Sequence, residues 1–185
     1  MPVVLARVDN RLVHGQVLES WIPRYDVNII IVVDDGIASD PLRQKIMEIA
    51  VPERINCRFV RVDELKETLD NLNVANRRIM VLFSGIKDVR DTLRMGVPLD
   101  RINIGNVHYQ KGKKRISQCV SLDEDESHYL MEIQRRAQVE IQALPDDVPL
   151  RFPDFLDGGD GTRCLQLEKR SWRERCLEWL RIKRH

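Results

Sequence analysis

The chain of 185 residues lacks the features that mark disulfide-rich, zinc-binding and membrane-spanning proteins. Its four cysteines, at positions 57, 119, 164 and 176, are widely separated and form no C-x-x-C pair. This spacing argues against a zinc site built from cysteines and favours reduced thiols. No uninterrupted apolar run exceeds five residues, as in Ile29–Val33, whereas a helix that crosses a bilayer needs about 20. We expect neither a metal nor any other cofactor.

Neither sign of charge dominates, and aromatic side chains are scarce. The 30 Lys and Arg residues against 29 Asp and Glu leave a formal charge of +1, which gives no reason to expect a nucleic-acid partner. Aromatic residues make up 5% of the chain, and the sequence contains no recognisable aromatic platform for a sugar. The first residues meet Arg7 and Asp9 before an apolar leader could form, so we expect no secretory leader and a cytoplasmic protein.

Short apolar runs rich in β-branched residues alternate with amphipathic segments over residues 1–150. The pattern predicts strands over 3–8, 27–33, 57–62, 78–83, 101–104, 118–121 and 139–144. It predicts helices over 15–22, 40–50, 63–72, 86–95 and 123–137. Strands as apolar as Ile29–Val33 are usually covered on both faces, and helices that connect parallel strands provide that cover. The predicted fold is a single α/β domain, an open and mainly parallel sheet with helices on both faces.

The C-terminal part of the chain differs in composition. Proline and glycine recur between Pro145 and Gly161, which predicts a linker over 151–162 after a domain over 1–150. Residues 163–185 hold eight Lys or Arg and three Glu, a net charge of +5. The spacing of their apolar residues predicts a basic amphipathic helical tail: Leu165, Trp172, Cys176, Trp179, Leu180 and Ile182. This tail could pack on the domain, mediate self-association, contact an anionic membrane surface or touch nucleic acid, and the tryptophans among leucines favour the first two.

His14 lies between the first predicted strand and the first predicted helix. An imidazole has a neutral nitrogen at cellular pH and can accept and release a phosphoryl group. Arg11 offers a planar fork of donors to a phosphate, and Gly15 begins a helix whose first backbone N–H groups add more donors. Asp9 is negative and cannot bind phosphate directly, so we expect it to orient Arg11 or the His14 ring.

Ser84 and Gly85 follow the strand predicted over 78–83. In open α/β sheets, ligands bind at the carboxyl ends of the strands, where these two residues would join the crevice beside His14. The candidate phosphate ligands besides Arg11 are Asn10, Gly15, Ser84 and Gly85. A nucleotide site has little support, because six residues separate the glycines at 105 and 112, whereas a P-loop has four.

The stretch around His14 resembles the active-site signature of a known family. Residues 9–17 read DNRLVHGQV, and the likeness continues through VVDDGIASD at 32–40, NIGN at 103–106 and KGKKRIS at 111–117. These segments are similar to the IIB components of the mannose/fructose/sorbose class of the bacterial phosphoenolpyruvate-dependent sugar phosphotransferase system. The resemblance covers roughly residues 1–150, and the tail has no counterpart in the family.

The resemblance implies a phosphotransferase that carries phosphate on a histidine. In this family the IIB component accepts a phosphoryl group from a phosphohistidine of the IIA component. It passes the group to a sugar that the membrane components IIC and IID carry. His14 matches the family histidine, Arg11 a phosphate-binding residue, and family members resemble homodimers. The resemblance implies a cytoplasmic localisation, with peripheral association at the inner membrane.

Other readings of the same residues stay open. A regulatory phosphocarrier would use the same histidine but pass the phosphate to a signalling partner. A plain α/β binding domain would have no phosphoryl chemistry, and His14 would then be an ordinary loop histidine. His108 and the basic run 113–115 could form a docking surface, although a solvated charged face is the simpler interpretation.

Overall fold

Seven strands form the central sheet of the protein. The structure is a computed structural model and describes residues 3–72 and 76–151. The strands of the described residues are β1 (Val3–Asp9), β2 (Ile29–Val33), β3 (Asn56–Val60), β4 (Ile79–Phe83), β5 (Arg101–Asn106), β6 (Lys114–Arg115), β7 (Ser121–Leu122), β8 (Gln138–Ile141) and β9 (Leu150–Arg151). The sheet order is β3-β2-β4-β1-β5-β8-β9, and every neighbouring pair is parallel except β8 with β9. The prediction of a mainly parallel sheet is confirmed.

Helices cover both faces of this sheet. A helical run over 15–25 contains a π-helical segment (Val17–Trp21) followed by α1 (Ile22–Tyr25). The other helices are α2 (Asp35–Ala38), α3 (Pro41–Ala50), α4 (Leu65–Asn71), α5 (Ile86–Arg94) and α6 (Glu124–Ile133). A buried apolar cluster lies on each face of the sheet. Helices α4, α5 and α6 pack on one face, and the helical run over 15–25 packs with α2 and α3 on the other face. This confirms the predicted cover on both faces.

β1 lies at the point where the strand order reverses. The chain leaves β1 through the helical run over 15–25 and enters β2 on one side, whereas α5 leads from β4 to β5 on the other side of β1. A crevice therefore opens at the carboxyl end of β1, between the ends of β4 and β5. The register places Val8 beside Phe83 of β4, and Asp9 beside Asn106 of β5. Any site that follows β1 is flanked by Ser84 and Asn106.

Two predicted strands differ from the structure. The strand predicted over 118–121 is shorter and lies later in the chain: β7 pairs antiparallel with β6 in a separate ribbon, and Val120 forms one parallel bridge with Val107, just after β5. The hydroxyl of Ser117 accepts hydrogen bonds from the N–H groups of Cys119 and Val120 and folds this segment into a turn. The strand predicted over 139–144 ends early, at Ile141, because side chains bind the carbonyl groups that follow it.

α6 begins with a capping box, which makes a local prediction possible. The Asp123 carboxylate accepts the Glu126 N–H at 2.8 Å, and the Glu126 carboxylate accepts the Asp123 N–H at 3.0 Å. Asp123→Ala removes the first bond, and we expect the free energy of unfolding to fall by about 1 kcal/mol in urea titrations. The control is Asp125→Ala, in the same turn but outside the box, with a change within about 0.5 kcal/mol. Equal losses in both variants would contradict the capping assignment.

The predicted linker and tail lie outside the described residues, apart from Arg151, which belongs to β9. Among the described residues, no helix has the length and apolar character that crossing a bilayer requires.

Candidate active site

The loop after β1 brings His14 to the crevice. Leu12 donates its N–H to the Asp9 carbonyl at 2.9 Å, which closes a tight turn. Leu12 has a φ of 55°, a left-handed conformation that is strained for this residue type, and its side chain is buried. Burial of Leu12 holds the turn in place. The His14 carbonyl accepts the Leu18 N–H at 3.1 Å, so His14 stands immediately before the helical run.

Asp9 is the centre of the site. Its side chain is fully buried, and its Oδ2 atom lies 3.2 Å from Arg7 Nη2 and 3.1 Å from His14 Nε2. Its Oδ1 atom accepts the backbone N–H of Arg11 at 3.2 Å and the side-chain Nε–H of Arg11 at 3.3 Å. Burial alone would raise the pKa of Asp9, but hydrogen bonds from His14 and Arg11 and the charge of Arg7 outweigh it and hold the pKa well below its ordinary value. Asp9 is therefore a carboxylate at neutral pH.

The two ring nitrogens of His14 have different surroundings. Because an ionised carboxylate only accepts hydrogen bonds, the proton of the neutral ring is assigned to Nε2, which faces Asp9. Nδ1 then carries a lone pair, and it has no hydrogen-bond partner among the described residues. The His14 side chain is 17% exposed, which leaves the ring accessible from the crevice. This arrangement presents Nδ1 as a nucleophile.

Arg11 lies beside His14 at the surface. Its Nη2 donates to Gln16 Oε1 at 2.8 Å, and its Nε donates to Asp9. The side chain is 43% exposed, in contrast to the buried Asp9. Arg11 therefore stands at the mouth of the site, where a bound anion could draw it away from its present partners.

Arg7 is the site residue that sequence reasoning missed. Its side chain is fully buried, and its guanidinium donates to Asp9, to Asn103 Oδ1 and to the backbone carbonyl groups of Gln142 and Ala143. Arginine is rarely buried without partners, so its presence inside the apolar run of β1 was the available signal. Burial lowers the pKa of Arg7, but a guanidinium remains charged at neutral pH.

The predicted residues Asn10, Ser84 and Gly85 also meet at this edge. Asn10 Nδ2 donates to the Ser84 carbonyl at 2.6 Å, and Asn10 Oδ1 accepts the His108 N–H at 2.7 Å. Asn10 thus ties the ends of β4 and β5 to the loop after β1. The Ser84 hydroxyl donates to Asp88 at 3.1 Å, and Gly85 is the residue before α5. Burial raises the pKa of Asp88, although the hydrogen bond from Ser84 opposes this effect.

Other residues considered from the sequence have structural partners. Lys113 is not part of a solvated face, because its Nζ lies 2.6 Å from Glu126 Oε1 and its side chain is only 10% exposed. Burial raises the pKa of the Cys57 thiol to about 12, which leaves it protonated and unreactive. Within the described ranges, no three His, Cys, Asp or Glu side chains gather in a way that could hold a metal ion.

Comparison with known proteins connects this site to a family. A family model described as "PTS system sorbose subfamily IIB component" matches residues 3–162. The N-acetylgalactosamine-specific phosphotransferase enzyme IIB component 1 of Escherichia coli (strain K12) is 34% identical over 154 residues, which are 82% of this chain and 97% of that protein. The PTS system mannose-specific EIIAB component of the same organism is 30% identical over 157 residues, or 84% of this chain. The chain spans about half, 49%, of that component.

Solved structures agree with these matches. The IIBSor domain of the sorbose permease from Klebsiella pneumoniae aligns with a TM-score of 0.78 at 26% identity, over 84% of this chain and 96% of that one. The N-acetylgalactosamine-specific IIB component 1 from Escherichia coli gives a TM-score of 0.77 at 33% identity, over 82% of this chain and 99% of that one. The chain belongs to the sorbose subfamily of IIB components of the sugar phosphotransferase system.

Proposed function

We propose that this chain carries a phosphoryl group on Nδ1 of His14 during sugar uptake. It receives the group from a phosphohistidine of a IIA component and passes it to a sugar bound by the membrane components IIC and IID. One observation carries the proposal: Nε2 of His14 lies 3.1 Å from the buried carboxylate of Asp9, and Nδ1 is unpartnered within the described part of the chain. This is the arrangement that nucleophilic use of one ring nitrogen requires.

The chemistry follows from the position of the proton. The lone pair of Nδ1 attacks phosphorus, a new N–P bond forms, and the N–P bond of the donor histidine breaks with return of its electron pair to the donor ring. His14 then carries a positive charge that its Nε2–H shares with Asp9. The carboxylate stabilises this charge and keeps the ring oriented, as it does in other Asp–His pairs. A protonated ring is also a good leaving group, which favours transfer onward to the sugar.

The transferred group brings close to two negative charges that need donors. Arg11 supplies a charged fork, and the first N–H groups of the helical run, at residues 15–17, have no intrahelical acceptor. A Cβ added at Gly15 would meet only the far end of Glu19, at 3.9 Å, so the space beside this backbone is open to a phosphoryl group. We assign phosphate binding to Arg11 and to the N–H of Gly15.

The remaining candidates have different roles in this proposal. Asn10 binds backbone groups through both Nδ2 and Oδ1 and so shapes the loop, while the second N–H of its Nδ2 is a further candidate donor to phosphate. Ser84 and Gly85 border the crevice. The Ser84 hydroxyl and the Gly85 N–H are further candidates to donate hydrogen bonds to the phosphate, after Arg11 and Gly15. Asp9 acts through the ring of His14.

The partners follow from the family. The mannose-specific EIIAB relative matches this chain along about half, 49%, of its own length, which supports a IIA component as the donor. A IIB component that serves IIC and IID works in the cytoplasm, at the inner membrane surface where the sugar arrives. We also propose a homodimer, as the sequence resemblance implies.

The test is phosphorylation of the whole chain. Incubation with phosphoenolpyruvate, the general phosphotransfer proteins and a IIA component should give one phosphate per chain that is lost in acid and kept in base. A chain that takes no label, or takes a base-labile label, would contradict the proposal. Addition of membranes that contain IIC and IID should then discharge the label in the presence of sugar.

A further inference from the structure

Arg7 and Arg11 both bind the Asp9 carboxylate, but their side chains differ in how freely they can move. Arg7 Nη2 binds Oδ2 of Asp9, the oxygen that also faces His14. Arg11 binds mainly Oδ1 through its Nε and its backbone N–H. The Arg7 side chain is fully buried, whereas the Arg11 side chain is 43% exposed. Only Arg11 can turn toward a group that arrives from solvent.

Arg7 is fixed by a cradle of neighbours. Its guanidinium carbon lies 4.5 Å from the centre of the Trp21 ring, and the carbonyl groups of Gln142 and Ala143 accept its N–H groups at 3.0 and 3.2 Å. On the neighbouring strand β5, a Cβ at Gly105 would lie 1.9 Å from that same carbon. The guanidinium therefore rests directly against the backbone of β5. These contacts leave Arg7 no room to follow a phosphoryl group.

The charges explain why two arginines are useful. With Asp9 ionised, the two guanidinium groups and the carboxylate have a net charge of +1, which attracts a negatively charged phosphoryl group. If Arg11 turns to the phosphoryl oxygens, Asp9 loses one partner while remaining buried. Until the N–P bond forms, the His14 ring is neutral, and a buried carboxylate without a cation is strongly disfavoured, so a second cation must stay in place.

We propose that Arg7 is a positioning residue, the permanent partner that keeps Asp9 on Nε2 of His14 while Arg11 turns to the phosphoryl group. This inference rests on the proposed function of His14. It assigns the holding of Asp9 to Arg7 and the binding of the phosphoryl group to Arg11. The groups that face Asp9 are Arg7 from β1, Arg11 and His14 from the following loop, and the amide of Asn106 from β5. His108 contacts Asn106 and no closer member of this group among the described residues. Before the transfer, none of the others is a buried cation that could replace Arg7.

The test compares Arg7→Met and Arg11→Met by nitrogen NMR of the His14 ring in the unphosphorylated protein. Arg11→Met should keep the proton on Nε2, because Arg7 still holds Asp9, while phosphorylation slows by roughly tenfold to a hundredfold. Arg7→Met should slow phosphorylation and also give a mixture of ring tautomers. Arg7→Lys, which restores the charge, should recover most of the Nε2–H form. Arg94→Met, which breaks an exposed pair with Glu132, is the control and should leave both readouts unchanged.

A second measurement needs no variant and covers the case in which Arg7→Met does not fold. On phosphorylation of the wild-type chain, the guanidinium signals of Arg11 should shift, whereas those of Arg7 should stay and exchange slowly with water. Equal shifts of both arginines, or an unchanged ring tautomer in folded Arg7→Met, would overturn the inference. Failure of the wild-type chain to take phosphate would instead overturn the proposed function.

Discussion

His14→Ala is expected to abolish phosphorylation of the chain, with a loss of roughly a thousandfold or more in the rate of label uptake. The substitution removes the nucleophile, and no other imidazole among the described residues is tied to a buried carboxylate. Asp9 keeps Arg7 and Arg11 as partners, so the fold should persist. The measurement is uptake of label from phosphoenolpyruvate through the general phosphotransfer proteins and IIA, with circular dichroism to confirm folding.

His108→Ala is the matched control for this result. His108 lies at the same edge of the sheet, where its Nδ1 is 3.4 Å from Asn106 Nδ2, but it is exposed and has no carboxylate partner in the described part of the chain. The variant should keep the label at close to the wild-type level. Label that persists in His14→Ala and disappears in His108→Ala would assign the phosphoryl group to the other histidine.

Gly105→Ala should disrupt the site without changing any residue that touches phosphate. The new methyl group would lie 1.9 Å from the guanidinium carbon of Arg7, which is enclosed on its other sides. Overpacking and the strained pair between Arg7 and Asp9 should lower the free energy of unfolding by about 3 kcal/mol. Phosphorylation should fall with it, because the Asp9 carboxylate moves away from His14.

Urea titration and label uptake measure the two effects of Gly105→Ala. Gly36→Ala is the control, since its methyl group would meet only the side-chain oxygen of Asp34, at 3.2 Å. That variant should stay within about 1 kcal/mol of the wild-type stability and keep its phosphorylation. A Gly105→Ala protein with wild-type stability would contradict the close packing of Arg7 on β5.

Much of the fold could be predicted because its determinants are local. The apolar run of β2 and the Asp40–Pro41 start of α3 are visible in the sequence, and each predicts its element to within a few residues. Asp9, Arg11 and His14 could be predicted as one group because six consecutive residues bring them together. The roles of these three residues in phosphoryl transfer stay predictions until the chain is labelled.

The rest of the site depends on contacts between distant parts of the chain. Arg7 meets the Gln142 carbonyl across 135 positions, and no local pattern shows this contact. The early end of β8 has the same origin, because its following carbonyl groups bind Arg7 and Trp21. The π-helical segment Val17–Trp21 could not be predicted either, because a prediction from the sequence assumes the regular period of an α-helix. Contacts with β5 and with the residues after β8 determine the position of Arg7 and the end of β8.

The nitrogen that carries phosphorus is the most direct test of the whole account. Nitrogen and phosphorus NMR of the phosphorylated wild-type chain should show phosphorus coupled to Nδ1 of His14, with a proton on Nε2 facing Asp9. Phosphorus on Nε2 would contradict the account, because that nitrogen lies 3.1 Å from the Asp9 carboxylate and has no space for a phosphoryl group. Phosphorus on any other residue would contradict it as well.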